Sequence, residues 1–346
     1  MKGKILLVGA LPPPVGGTTI SFKELVEYFD SDDNYQFFDL NRLRSKSDFL
    51  RSVWVLFLML VRAKVWSFHV SDNAAVRFLP MFWIFSKVLR RKIVYRQFGG
   101  EFVSTYNSLL PIQKSFFRYT VLKSDVVYFQ TKKMVEFFLG QMPDQNIQWL
   151  PTSRKFASEN TTFMDNTDSR FHRKVLKVVF AGRLSRLKGV VELINAVRSF
   201  SSIELDLYGP VEDDEILRIV DKAGNVYYRG IVDRQQLAEV YAEAAVFALP
   251  SYHPGEGYSG AVIEALQYGV PPLVSRWNAF EEMLPQDVAF FVDPKSEKSI
   301  VSCLEEVLSN RGLLTQASLN ALLYSRQFDL DVVCKKIDQD HKECAA

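Results

Sequence analysis

Apolar and polar positions along the chain follow two alternating rhythms. Short apolar runs at Lys4–Gly9, Tyr35–Phe38, Val65–Val70, Lys92–Tyr95 and Val126–Gln130 are separated by stretches in which apolar residues recur every third or fourth position. Runs this short and continuous predict strands covered on both faces, and the intervening spacing predicts helices. The rhythm returns later, with strands expected at Val175–Ala181, Ile203–Tyr208, Val226–Gly230, Ala245–Leu249, Gly269–Ser275 and Val288–Val292 and helices at Val190–Phe200, Gly260–Tyr268 and beyond Ile300. Strands alternating with helices predict an α/β fold with parallel sheets. Pro151 to Arg173 is polar, rich in Ser, Thr and Asn and without apolar period, so it reads as the linker between two domains, 1–160 and 161–324.

Within this pattern Ala245 to Pro272 stands out. An apolar strand stopped by Pro250 leads into a turn punctuated by Pro254, Gly255 and Gly257, then into a helix closed by Gly269. A strand, a Gly-rich turn and a helix N-terminus together present free N–H groups and a positive dipole end, which suit an anion. The turn also carries Glu256, with Glu264 about one turn inside the helix. A carboxylate cannot serve a phosphate, but its two oxygens suit the vicinal hydroxyls of a ribose or sugar ring. The competing reading is a helix-capping Glu256 and a solvated Glu264. Arg183 and Lys188 occupy an earlier strand-to-helix loop, where cations could clamp a diphosphate, or be merely a solvated basic loop.

Two stretches carry a resemblance. Pro250-Ser251, Glu256-Gly257-Tyr258-Ser259-Gly260-Ala261-Val262-Ile263-Glu264-Ala265 and Gly269-Val270-Pro271 resemble a signature of the family 4 retaining glycosyltransferases. Gly182-Arg183-Leu184-Ser185-Arg186-Leu187-Lys188-Gly189 resembles that family's second signature. The resemblance implies a GT-B fold, two Rossmann-like domains facing a central cleft, with the last segment, 325–346, packing back on the first domain. It implies that Glu256 contacts the donor sugar, that Glu264 holds the ribose hydroxyls and that Arg183 and Lys188 neutralise the diphosphate. Ser259 stands where the family has Gly, beside Gly260 at the helix start. Gly230-Ile231 would lie near the base, and the Pro/Gly-rich loop ending in Gly16-Gly17 would reach toward donor phosphate and acceptor. Relatives place a His just before the Gly of the stretch Tyr95 to Glu101; here that position is Phe98, which leaves Gln97, Gly99 or Glu101 as substitutes.

Composition adds a charge asymmetry. Residues 1–160 carry 22 Lys/Arg against 13 Asp/Glu, a balance of +9, whereas 161–346 carry 20 against 27, a balance of −7. The first half therefore faces something anionic. Helices expected at Asp48–Lys64 and Phe78–Arg91 are crowded with aromatic and aliphatic residues and edged by Arg and Lys, which suits either a core or a membrane interface. The docking surface would draw on Arg42, Arg44, Lys46, Arg51, Arg62, Lys64, Arg90, Arg91 and Lys92, with Trp54, Trp66 and Trp83. No uninterrupted apolar run reaches spanning length. Met1 to Leu11 reads as a first strand instead of a signal segment, and the three cysteines lack metal or redox spacing. The Gly16-Gly17 loop lacks a dinucleotide or P-loop pattern, so it could equally be a plain tight turn. His69, near a strand end, reads as structural.

These readings converge on a cytoplasmic enzyme, peripheral on the inner face of a membrane. It would, as the resemblance implies, move a sugar with retention from a UDP- or GDP-sugar to a lipid-linked saccharide in surface-polysaccharide assembly, without metal or bound cofactor and without nucleic acid. Two literal Asp-x-Asp pairs, Asp329/Asp331 and Asp338/Asp340, fall in the C-terminal helical tail and not at a strand end. The rivals are an epimerase or phosphorylase on a similar fold, and a non-catalytic two-domain sensor of nucleotide sugars.

Overall fold

In the computed structural model, which describes residues 4–44, 47–156 and 167–346, the chain divides into two compact units. The first comprises residues up to Lys155 together with Phe328–Ala346, and the second comprises Phe156–Gln327.

The first unit is built on six parallel strands: β1 (Ile5–Gly9), β2 (Tyr35–Asp39), β3 (Val65–Ser71), β4 (Lys92–Phe98), β5 (Val126–Phe129) and β6 (Ile147–Trp149), in the order β2-β1-β3-β4-β5-β6. Alternate side chains enter opposite cores. Leu6, Val8, Trp66, Phe68 and Val70 face one cluster, while Ile5, Leu7, Val65 and Val94 face the other. Both faces are covered, so the strands read as continuous apolar runs. The helices Phe49–Arg62 and Asp72–Leu89 cover the first face; Gly17–Phe29 and the C-terminal helix Leu330–Ala345 contribute to the second.

A polar seam fixes the C-terminal helix. The Tyr128 hydroxyl donates to Asp340, Lys336 Nζ lies 3.0 Å from the same carboxylate, and His341 Nε2 is 2.8 Å from Ser67 Oγ. Arg154 is buried, donates to Ser21 Oγ at 2.9 Å, and pairs through its backbone with Phe328 and Leu330. The expected linker is therefore shorter at both ends. Pro151–Lys155 belongs to the first unit, and the helix Thr167–Phe171 follows in the second, where Arg170 is buried and donates to Tyr241 O. Residues 157–166 of the expected linker, and Lys46, lie outside the described residues.

The second unit repeats the plan with β7 (Leu176–Ala181), β8 (Ile203–Tyr208), β9 (Val226–Gly230), β10 (Val246–Leu249), β11 (Pro272–Ser275) and β12 (Phe290–Val292), ordered β12-β11-β10-β7-β8-β9. Every pairing is parallel, so all six carboxyl ends share one edge. The order reverses between β7 and β10, and the crevice outside the strand ends at such a reversal is the habitual ligand position of open α/β sheets.

Three expectations change. Strand β4 continues to Phe98, so Phe98 ends a strand and is buried. The second helix begins at Asp72 and carries Pro80 inside it. Trp66 is fully buried, its indole donating to Leu60 O at 2.9 Å, so it cannot meet a membrane.

Candidate functional site

The two loops singled out by sequence leave neighbouring strands on either side of the reversal point. After β7, residues 182–189 form a loop with a short 3-10 turn at Arg186–Lys188, followed by the helix Val190–Val197. After β10, residues 250–259 lead into the helix Gly260–Gln267, with Ser259 as its N-cap residue. The loops touch at Gly189. Its φ of +71° is left-handed, and a Cβ there would lie 2.2 Å from Pro250 O, so a side chain is excluded on both counts. Tyr252 N–H completes the junction by donating to Leu187 O at 2.9 Å.

This close approach brings Lys188 Nζ within 2.6 Å of Glu256 Oε2, both side chains largely buried at 15% and 7% exposure. The Ser251 hydroxyl donates to the same oxygen at 2.6 Å. Glu256 therefore turns inward to Lys188 and Ser251 instead of capping the helix Gly260–Gln267, whose N-cap residue is Ser259. Lys188 also removes the electrostatic objection to a carboxylate at an anion site. An ammonium carries three donors, so one can hold Glu256 while others remain for a phosphate oxygen.

The turn is held from outside the motif. Trp277 Nε1 donates to His253 O at 3.0 Å, Asn278 Nδ2 donates to Pro254 O at 2.5 Å, and the buried Tyr258 hydroxyl donates to Glu282 Oε1 at 2.8 Å. His253 Nδ1 accepts the Gly255 N–H at 3.0 Å, which leaves the proton of the neutral ring on Nε2. Tyr252 donates to Glu192 at 3.2 Å, and burial together with that carboxylate raises its pKa. Sequence reasoning quoted Ser251 without giving it a task and overlooked His253 and Trp277. The signal for Ser251 was its place just after the strand-stopping proline.

Arg183 is differently placed. It is 53% exposed and pairs at 2.7 Å with Glu212, itself 43% exposed. Arg186 lies 3.0 Å from Asp213 and also bonds Glu215. Exposed pairs of this kind are worth roughly 0–1 kcal/mol, so an entering anion can exchange with Glu212 at small cost. Breaking the buried Lys188–Glu256 pair would cost several times more.

The remaining candidates fall in two groups. Glu264 is half-buried on the helix Gly260–Gln267. Gly230 ends edge strand β9, and its carbonyl accepts the Gly209 N–H at 2.9 Å; Ile231 beyond it is exposed. These share the carboxyl edge with Glu256 and Lys188. Gly16 and Gly17 belong to the first unit, as N-cap and first residue of the helix Gly17–Phe29, where Thr19 Oγ1 accepts the Gly16 N–H at 3.0 Å. Of the substitutes for the missing His, Gln97 is fully buried and donates to Asp72 and to Phe98 O, so its amide is spent on the first unit's own core. Gly99 N–H donates to Gln130 at 2.9 Å, and Glu101 is exposed ahead of the helix Phe102–Ser108. Among the described residues no group of three or more His, Cys, Asp or Glu is arranged to hold a metal ion. Asp329 caps the C-terminal helix.

Comparison with known proteins bears on this geometry. Residues 165–322, nearly the whole second unit, match the family model described as "Glycosyl transferases group 1". The resemblance read in the two signatures is shown over that stretch. The O-antigen chain mannosyltransferase B of Escherichia coli is 28% identical over 120 residues, 34% of this chain and 31% of that protein. TuaC of Bacillus subtilis, named for teichuronic acid biosynthesis, is 28% identical over 126 residues, 36% of this chain and 31% of that one. The matches thus span about a third of the length of these relatives. Among solved structures, HepE of Anabaena in complex with UDP superposes with a TM-score of 0.74 at 15% identity, covering 98% of this chain and 100% of that one. The fold is that of the GT-B glycosyltransferases.

Proposed function

We propose that the chain is a glycosyltransferase that moves a sugar from a nucleotide-sugar donor to a saccharide hydroxyl in polysaccharide assembly. The observation that carries this reading is the Ser251–Glu256–Lys188 cluster at the reversal point of the second sheet. There Lys188 and Arg183 face the donor diphosphate and offset the charge that grows as the leaving group departs. Glu256, held by Ser251 and Lys188, accepts a hydroxyl of the donor sugar and orients it without attacking it. Glu264 accepts the ribose hydroxyls. The base lies toward Gly230 and Ile231, and the Gly16–Gly17 loop serves the acceptor side. Because Lys188 already supplies a cation to the Glu256 carboxylate, the reaction as proposed calls on no metal and no bound cofactor. The product keeps the donor's anomeric configuration.

What supports a polysaccharide product is the naming of the two relatives for O-antigen and teichuronic acid work. A UDP-sugar is favoured because HepE was crystallised with UDP. The acceptor is a lipid-linked saccharide, and the protein docks on an anionic membrane face from the cytoplasm. Support for docking comes from the first unit, where Trp54 is 61% exposed and the exposed Leu50, Phe78, Met81 and Val88 accompany exposed Arg42, Arg44, Arg51 and Arg62. No described helix is long and apolar enough to cross a membrane. The test is calorimetry with UDP- and GDP-sugars, followed by NMR of the product's anomeric configuration. Binding without turnover on any acceptor would make the protein a sensor, and an inverted product would remove the assigned role of Glu256.

A further inference from the structure

The first unit contains a cavity of about 670 Å³ between the turn Leu40–Arg44, the helices Phe49–Arg62 and Asp72–Leu89, and the sheet. Protein interiors rarely keep such a space, because the lining atoms forfeit their contacts. It is several times the roughly 150 Å³ of a dry apolar cavity that accepts benzene, which scales to on the order of 20 carbon atoms. Its walls are Leu43, Val53, Phe57, Phe82 and Phe85, among other apolar side chains.

The cavity has two unlike ends. Ala10, Asn41, Arg44, His69 and Ser71 belong to the carboxyl edge of the sheet: Gly9 pairs with His69 and Ser71 with Phe98 across β1, β3 and β4, and Leu40–Arg44 follows β2. Thr18, at the N-terminal turn of the helix Gly17–Phe29, joins them. His69 is 2% exposed; its Nε2 lies 2.9 Å from Ser67 Oγ and its Nδ1 has no hydrogen-bond partner. The other end opens among Phe49, Phe57, Phe78 and Met81, which line the space and also meet solvent. The helix Phe49–Arg62 carries no acidic residue, and Arg51 and Arg62 are exposed near its two ends.

We propose that this cavity binds the single hydrocarbon chain of a lipid phosphate, with the anionic head at Arg44 and the chain running between the two helices toward Phe57 and Met81. This rests on the lipid-linked acceptor reading and places the acceptor's tail. Phe98 acquires a reason at the position where the resembled family has His, because it forms part of the apolar lining.

The test is calorimetry of the full chain with butyl, octyl and dodecyl phosphate below their micelle concentrations, with inorganic phosphate as the head alone. Affinity should rise at least about tenfold from each chain to the next, since buried methylenes drive binding. Ala74→Phe, which fills the space from a lining position, should flatten that increment. Met81→Asp, at an exposed lining position, should weaken dodecyl phosphate more than butyl phosphate and keeps the test open if the first variant fails to fold. Arg44→Glu should lower affinity for all three equally. Equal affinity for the three chains, or an increment that survives both Ala74→Phe and Met81→Asp, overturns the proposal. UDP-sugar turnover in the same preparations separates the two readings. Chain binding without turnover leaves the cavity assignment standing and sinks glycosyl transfer; turnover on a chainless saccharide, with no chain increment, does the reverse.

Discussion

Lys188→Met is expected to destabilise the second unit by about 3–5 kcal/mol, because it strips a buried carboxylate of its cation while keeping most of the side chain's bulk. The magnitude follows from the site. Glu256 is 7% exposed, and its contact with Lys188 at 2.6 Å is a charge-assisted hydrogen bond as well as an ion pair. Losing Lys188 leaves Glu256 with the Ser251 hydroxyl, a neutral donor that cannot offset the desolvation of a full charge. Glu256→Gln should cost less, about 1–3 kcal/mol, since the ammonium sits on a flexible stem that can lean toward water. The double variant buries no charge, so part of the summed loss should return, giving a coupling of about 2 kcal/mol. Denaturant unfolding can follow the turn itself through fluorine-labelled Trp277, the single tryptophan between residues 156 and 327, whose indole bonds His253 O. Single losses that add to within about 0.5 kcal/mol of the double variant would show two independent side chains and refute the pairing argument.

Other expectations are separable from that one. Gly189→Ala should cost on the order of 1–3 kcal/mol or more, from left-handed backbone strain and the clash with Pro250, and should weaken nucleotide binding by calorimetry in step with the lost stability. Arg183→Ala should change stability by less than about 0.5 kcal/mol, its pair with Glu212 being exposed, yet lower kcat more than it raises KM; an effect confined to KM would contradict a role on the leaving group. Burial pushes His341 down to about 4 and holds His69 well below the usual range, so the folded first unit binds fewer protons than the unfolded chain. Its stability should be full above pH about 6.5 and fall as pH drops toward 4, by up to about 3 kcal/mol from His341 alone; His341→Gln should flatten that slope in unfolding midpoints taken between pH 7 and 4.5.

The parts of the fold legible in the sequence are those in which side-chain polarity and burial agree. The expected bounds of Ile203–Tyr208 and Val226–Gly230 match the strands to the residue because Gly209 and Gly230 punctuate their ends, although Asp206 within β8 is buried. The sequence ends β4 at Tyr95 because Arg96 and Gln97 look like surface residues. Both are buried: the Arg96 guanidinium donates to Pro151 O at 2.8 Å and Gln97 to Asp72. The sequence pattern places the start of the helix at Phe78, six residues beyond Asp72, since its first turns are short on large apolar side chains and Pro80 lies within it. In each case the deciding partner is distant in sequence, and no local period reports it.

The site shows the same division at closer range. Glu256 and Lys188 are legible as separate motifs, but they lie 68 positions apart, and their pairing is a product of topology. β7 and β10 become neighbours because the chain first builds β8 and β9 outward on one side of β7, then returns to place β10 on its other side, with β11 and β12 beyond it. The loops after β7 and β10 consequently lie side by side and meet at Gly189 and Pro250. A carboxylate in an anion-binding turn looks contradictory while each loop is considered alone. Once the strands are adjacent the contradiction disappears, because Lys188 neutralises Glu256 and retains donors for a second anion, so one cluster can address a sugar hydroxyl and a phosphate together.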